Sequence, residues 1–269
     1  MPAPASPSYV VDSEDPRAPS KDIWDRMSTA DRDRVLESLP SEFPVSEASP
    51  PEGDLHYEAV ERTREMLRGY FRRIRRRIYI GNNLPVYYPG ERMFSPDVLA
   101  VLEVEDRPRN GWVVSAEDKG LDLAMEIHWR PRAAKDFERN RQHYAQLGIT
   151  EYFIFDVQRL RLRGYELPDG SARVYRPILA QSSRFSSSVL GLDIGIDGDK
   201  LRFYHGTAPL PDAEELRARL DATIEKLSAQ AEQEAQRAEQ EAQRAQEAER
   251  KLAEAIAEIE VLRKRVGGE

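Results

Sequence analysis

The sequence predicts a mixed α/β fold: a mixed sheet with flanking helices, extra β-hairpins and a long C-terminal helix or coiled coil. Three observations predict it. An arginine-rich amphipathic helix near residue 57 runs into short apolar strands. A second helix then separates these from a further apolar strand and two hairpins. Residues 212–266 hold a heptad repeat with almost no strand formers. The 269 residues suffice for one sizeable core with appendages, since domains run to about 100–200 residues. The chain therefore divides into a proline-rich, largely extended arm (1–52), a mixed α/β domain (53–211) and a charged heptad helix (212–269).

Half of the 18 prolines fall within the first 51 residues, among Ser, Asp and Glu and without a long apolar period, which predicts a poorly ordered arm. Inside it Ile23, Trp24, Met27, Val35 and Leu36 lie near helical spacing, and Ser28-Thr29-Ala30-Asp31 offers a capping start for a short helix. From Tyr57 to Ile78, the positions Val60, Leu67, Phe71, Ile74 and Ile78 form one apolar stripe of a helix. Its other faces carry eight arginines between Arg62 and Arg77. They read first as a solvated face with cations near the helix C-terminus; the second reading is phosphate contact through Arg68, Arg72, Arg75 and Arg76.

Strands are expected at Arg77–Ile80, Leu84–Tyr88, Asp97–Val104, Trp112–Val114 and Leu121–Ile127, punctuated by Gly81-Asn82, Pro89-Gly90 and Asn110-Gly111. A helix follows over Lys135–Leu147, with Gly148 placed to end it. Tyr152–Phe155 has the length and residue types of a buried strand. Two hairpins come next: Leu160–Leu167 with Arg173–Ile178, turning at Pro168-Asp169-Gly170, and Leu192–Ile196 with Leu201–Tyr204, turning at Asp197-Gly198. In the tail AEQEAQR stands at 231–237 and again at 238–244, the seven-residue period of a coiled coil. Ala238, Ala245, Leu252, Ile259 and Val266 share one seam position. Alanine buries little area, so the seam is strong only over Leu216–Leu227 and Leu252–Val266. A homo-oligomer through 212–266 and a solitary charged helix both fit this pattern.

Composition excludes several functions. With no cysteine there is no disulfide, no thiolate zinc site and no cysteine nucleophile, and the chain suits a reducing compartment, so the cytoplasm is the expected location. Apolar runs such as Val98–Leu102 fall far short of the roughly 20 residues of a membrane helix. The opening MPAPASPSYVVDSED lacks a basic segment followed by an apolar core, so no signal peptide is expected. There is no phosphate-binding P-loop, no G-x-G-x-x-G, no G-x-S-x-G elbow and no H-E-x-x-H helix. The dispersed His56, His128, His143 and His205 lack zinc spacing.

A carboxylate pair remains. Asp97 begins one apolar strand and Glu126 ends another. If these strands pair, the two acids converge at one sheet edge, where they can bind a hard cation such as Mg²⁺ (or Mn²⁺) and leave positions for water and a phosphate oxygen. Two ordinary acids at strand ends are the alternative. Tyr144 and Tyr152 read as packing residues whose hydroxyls reach the sheet edge.

The segment Tyr144-Ala-Gln-Leu-Gly148-Ile-Thr-Glu151-Tyr152-Phe-Ile-Phe-Asp156 resembles the Uma-two signature Y-x-x-x-G-[IV]-x-E-Y-W-[IL]-[IV]-D of restriction-endonuclease-like proteins. The resemblance extends to His56, Leu84-Pro85-Val86-Tyr87, Ser95-Pro96-Asp97-Val98 and Glu126-Ile127. It implies a PD-(D/E)XK nuclease-like core of helix, three-stranded antiparallel meander, helix and further strand. It also implies DNA as partner, Asp97 and Glu126 as metal ligands, and the Ile127 carbonyl as a third. The chain departs from the pattern at the water-activating lysine: His128 stands two residues after Glu126, and Asn140 stands four after Asp136, where the family places its displaced lysine. Lys135 and His128 are the candidates for that role. A Mg²⁺-dependent DNA endonuclease is one expectation, and a degenerate nuclease-fold binding module oligomerised by its tail is the other.

Overall fold

The structure, a computed structural model, describes residues 9–42, 53–129 and 134–266, without the side chains of 134–137 and 262–266. Two compact units result, residues 1–213 and 214–269. In chain order the first unit holds α1 (Lys21–Arg26), α2 (Thr29–Ser38), α3 (Asp54–Arg73), β1 (Ile78–Asn82), β2 (Val86–Tyr87), β3 (Val98–Leu102), β4 (Trp112–Val113), α4 (Val114–Glu117) and β5 (Leu123–His128). It continues with α5 (Ala134–Gln146), β6 (Glu151–Asp156), β7 (Arg161–Glu166), β8 (Arg176–Pro177), β9 (Phe185–Ser187), β10 (Leu192–Asp197), β11 (Lys200–His205) and β12 (Ala208–Pro209). The second unit is α6, which begins at the unit boundary and spans Ala213–Val266.

The main sheet has the order β1-β3-β5-β6-β7-β8. Every pair is antiparallel except β5 with β6. Strands β1, β3 and β5 form a meander, and α5 provides the crossover that a parallel β5–β6 pair requires. Alternation gives the sheet two apolar faces. Ile78, Ile80, Val98, Ala100, Met125, Phe153 and Phe155 pack with Val60, Leu67 and Phe71 of α3 and with Ile194, Leu201 and Phe203 of the smaller sheet β12-β11-β10-β9. Tyr79, Leu99, Val101, Ala124, Tyr152 and Ile154 pack with Tyr144 and Ala145 of α5.

Several boundaries differ from the sequence expectation, each for a physical reason. Helix α3 stops at Arg73, not Ile78, because the Arg76 N–H donates to the Phe71 carbonyl and the Arg75 N–H to the Arg72 carbonyl, with Arg75 left-handed at φ 55°. This is a Schellman closure with arginine where glycine is usual. Strand β3 ends at Leu102 because Glu103 turns to φ 57° and donates its N–H to the Arg77 carbonyl. The short β2 and β4 leave the main sheet and pair with each other in parallel. Within 9–42 there are two helices rather than one, each with a serine N-cap, Ser20 or Ser28. Trp24, Met27, Val35 and Leu39 are buried against Tyr87 and Val113. The β10–β11 hairpin turns at Gly198-Asp199, with Gly198 at φ 62°.

Glu151, fully buried at the start of β6, ties the two sheets together. Its carboxylate accepts the Ser188 N–H at 2.7 Å, the Ser188 hydroxyl at 2.7 Å, the Val189 N–H at 3.2 Å and the Ser187 hydroxyl. Burial of a carboxylate is tolerated only with such a donor set. Glu151→Ala strands these donors, and a stability loss of at least about 3 kcal/mol is expected by urea denaturation. A loss under 1 kcal/mol would show that the clamp does not hold β6 to the β9–β10 corner.

Candidate active site at the end of the β-meander

Asp97, just before β3, and Glu126, within β5, become neighbours through register. Val98 pairs with Met125 and Leu99 with Ala124, so the next position of the antiparallel ladder sets Asp97 opposite Glu126. Opposed residues of such a pair project to one face. That face is the one covered by α5, since Leu99 and Ala124, two residues from each acid, lie in the Tyr144 core.

Ile127 joins the same corner. The Val157 N–H donates to the His128 carbonyl, which turns the His128 main chain toward β6 and that of Ile127 toward β3. The Ile127 N–H accordingly donates to Asp97 Oδ2 at 2.6 Å. Within a strand, N–H and C=O of one residue share a direction, so the Ile127 carbonyl lies on the Asp97 side. His56, from the buried face of α3, brings Nε2 to 3.4 Å from Asp97 Oδ1. The family resemblance had included His56, and the fold gives that inclusion a physical basis.

Glu126 is 5 % exposed. Tyr144 donates its hydroxyl to Glu126 Oε1 at 2.7 Å. Burial, and then the Glu126 charge, push the Tyr144 phenol well above its ordinary pKa, so the proton stays on the phenol. Tyr144 packs as expected, edge-on to Tyr152 with ring centroids 5.0 Å apart. It is also a positioning residue for Glu126, which the sequence reading missed. The i+18 separation between them carries no local signal.

His128 is 3 % exposed and, two residues after Glu126, faces the same way. Asn140 lies one turn before Tyr144 on the same helix face, so the site side of α5 carries an amide where the resemblance implies a lysine. The backbone of Lys135 belongs to the first turn of α5; its side chain lies outside the described residues. Among the described residues no cluster of three or more His, Cys, Asp or Glu side chains is placed to hold a metal. Two carboxylates and a main-chain carbonyl are the groups that could hold a metal here, all hard oxygens of the kind a divalent cation takes.

The α3 arginines do not join this corner. Leu102 pairs with Ile78, whereas Val98 pairs with Asn82, so the end of α3 sits about 13 Å away along β3. Arg68 and Arg72 bind Asp106 at 2.7 and 3.0 Å. Arg76 donates to the carbonyls of Leu190 and Val189 at 2.7 and 2.9 Å. Arg75 is exposed in the left-handed turn. Three of the four expected phosphate contacts are therefore spent on structure.

A meander, a crossover helix and a parallel strand, with two carboxylates together at the meander's open end, define a restriction-endonuclease-like protein. Residues 45–197 match the family model described as "Uma2: Putative restriction endonuclease". That is more than half of the chain, and the protein belongs to this family. A solved structure titled as a putative nuclease belonging to DUF820, from Anabaena variabilis ATCC 29413, is similar at 13 % identity and a TM-score of 0.42, over 58 % of this chain and 89 % of that one. No curated protein matches significantly.

Tyr144→Phe tests the support of Glu126. Removing the hydroxyl takes one donor from a buried carboxylate, and a loss of about 1–3 kcal/mol is expected in urea denaturation. An unchanged midpoint would show that the phenol adds packing alone.

Proposed function

We propose that this protein is a divalent-metal-dependent endonuclease that hydrolyses DNA phosphodiester bonds at the Asp97–Glu126 corner. The observation that carries the reading is the β3–β5 register, which sets these two acids side by side on one face. Asp97, Glu126 and the Ile127 carbonyl would hold Mg²⁺ or Mn²⁺. When bound, the ion supplies Lewis acidity to the scissile phosphate and lowers the pKa of a water.

The chain's own groups have separate tasks. The Ile127 amide fixes one Asp97 oxygen, and His56 stands beside the other. Tyr144 orients Glu126. His128, on the Glu126 face, is the group we assign to take the proton of the attacking water as that water adds to phosphorus and the bond to the leaving oxygen breaks. A neutral imidazole has the lone pair for this task. Lys135, at the start of α5, is the second candidate.

Asp97→Asn and Glu126→Gln keep an acceptor for the Ile127 N–H and the Tyr144 hydroxyl while removing the charge. Calorimetric titration of Mg²⁺ or Mn²⁺ should show binding to wild type and none to the double variant, with unfolding free energies within about 1 kcal/mol of each other. Metal-dependent plasmid cleavage should vanish with it. Cleavage that survives both substitutions places the chemistry elsewhere.

A second reading has its own observation. In α6 Leu216, Leu220, Ile224 and Leu227, then Leu252, Ile256 and Ile259, recur at three- and four-residue intervals, and all are exposed. Such a stripe suits a coiled-coil partner, which makes a nuclease-fold binding module oligomerised through its tail the alternative. Sedimentation of the full chain should then give a dimer or higher mass, reduced to the monomer by Leu216→Glu/Leu220→Glu/Ile256→Glu. A monomeric wild type would end the oligomer reading.

A further inference from the structure

The arginines of β7 occupy a different position from those of α3. Asp156 of β6 pairs with His128 of β5 on one side and with Arg161 of β7 on the other; Ile154 pairs with Arg163. Paired residues share a face, so Arg161 and Arg163 project to the same side as Glu126 and His128. Two inter-strand steps, about 10 Å, separate β7 from β5. A shallow groove here is lined by Ile154, Asp156, Arg159, Arg161 and Arg163.

Charge accounting at this end is favourable. Arg159, Arg161 and Arg163 are all exposed, and among the described residues Arg161 and Arg163 make no ion pair. The neighbouring acids are already engaged: Asp156 accepts the Arg159 N–H at 2.8 Å and lies 3.3 Å from its guanidinium, Glu138 is paired with Arg141 at 2.7 Å, and Glu166 with Arg176 at 2.9 Å. Arg141 lies over the ring of Tyr165, 5.3 Å from its centroid, and so extends the strip toward α5. Strand β8 pairs with Tyr165 and Glu166, so among the described residues no strand covers the outer edge of Arg161–Arg163.

We propose that the phosphodiester backbone of DNA lies along the β7 strip of Arg161 and Arg163, flanked by Arg159 and Arg141, and is led by it to the Asp97–Glu126 corner. This rests on the nuclease reading above and adds the surface that receives the substrate. Alternate residues of a strand stand roughly 7 Å apart, a spacing that lets two guanidiniums meet successive phosphates of one strand. Guanidinium forks suit phosphate oxygens.

The test is anisotropy with a labelled DNA duplex and the full chain in Ca²⁺, with a gel confirming intact duplex, across a salt series. Each phosphate contact contributes about 0.9 to the slope of log affinity against log salt. Arg161→Ser/Arg163→Ser should lower that slope by about 1.8 units, while Arg72→Ser/Arg75→Ser leaves it unchanged. A wild type that binds with a slope unmoved by the β7 substitutions overturns the strip, and metal-dependent cleavage by the same protein would leave the nuclease reading standing. The expected slope change in a chain that never cleaves would keep the strip and remove the catalytic reading. An RNA duplex bound tenfold tighter than DNA overturns the assignment to DNA, and a wild type that binds no duplex overturns both.

Discussion

The register of β3 against β5 is the constraint on which the rest depends. Side chains alternate along a strand, so a one-residue slip would turn every core residue of that strand to the opposite face. Leu99 and Val101 would leave the α5 side, and Asp97 would part from Glu126. The register is held from both ends. At one end the Ile127 N–H bonds the Asp97 carboxylate. At the other the Asp122 N–H bonds the Ala100 carbonyl, and Asp122 Oδ2 takes the Leu102 N–H at 2.6 Å. A candidate ligand thus also serves as a clasp of the sheet, and so amide substitutions separate its two roles where alanine would confuse them.

The signature around α5 and β6 reads as scaffold for that corner. Tyr144 orients Glu126. Gly148 takes φ 77° so that the Gly148 and Ile149 N–H groups can close the helix on the Ala145 and Tyr144 carbonyls; a side chain there would cost about 1–2 kcal/mol. Glu151, an invitation to catalytic speculation in a nuclease family, points instead to the Ser187–Val189 turn and binds the smaller sheet. Tyr152 carries the ring on which Tyr144 leans. One short segment therefore fixes helix, strand and acid together, and Tyr144 links it to a candidate ligand.

How much was legible depended on whether the signal was local. The end of α5 was readable because glycine marks the left-handed residue; the equivalent end of α3 was not, because Arg75 occupies that position and nothing in its type announces it. Asp97 and Glu126 were readable as acids near strand ends, although Asp97 falls just before β3 and Glu126 inside β5, and their meeting followed from the expected meander. Tyr144's bond to Glu126 was not, since it depends on where α5 crosses the sheet. The first arm helix, α1, escaped because its apolar residues are few, and the burial of Trp24 against Tyr87 and Val113 is tertiary.

Arginine counts illustrate the same limit and show why placement outranks number. The α3 cluster is the densest run of positive charge in the sequence, yet Arg68 and Arg72 share one carboxylate 34–38 residues away, and Arg76 donates to two carbonyls of the Val189–Leu190 turn. To bind a ligand phosphate these groups would first have to release partners that hold the end of α3 to the body, so part of the attraction would be lost to breaking those contacts. A cation with no partner among the described residues incurs no such cost, which is why two alternating arginines on β7 outweigh the engaged Arg68, Arg72 and Arg76 at the end of α3. The formal charge of −8 does not oppose this, because a phosphate backbone responds to the potential of the face it meets within about a Debye length of 8–10 Å rather than to the sum over the chain.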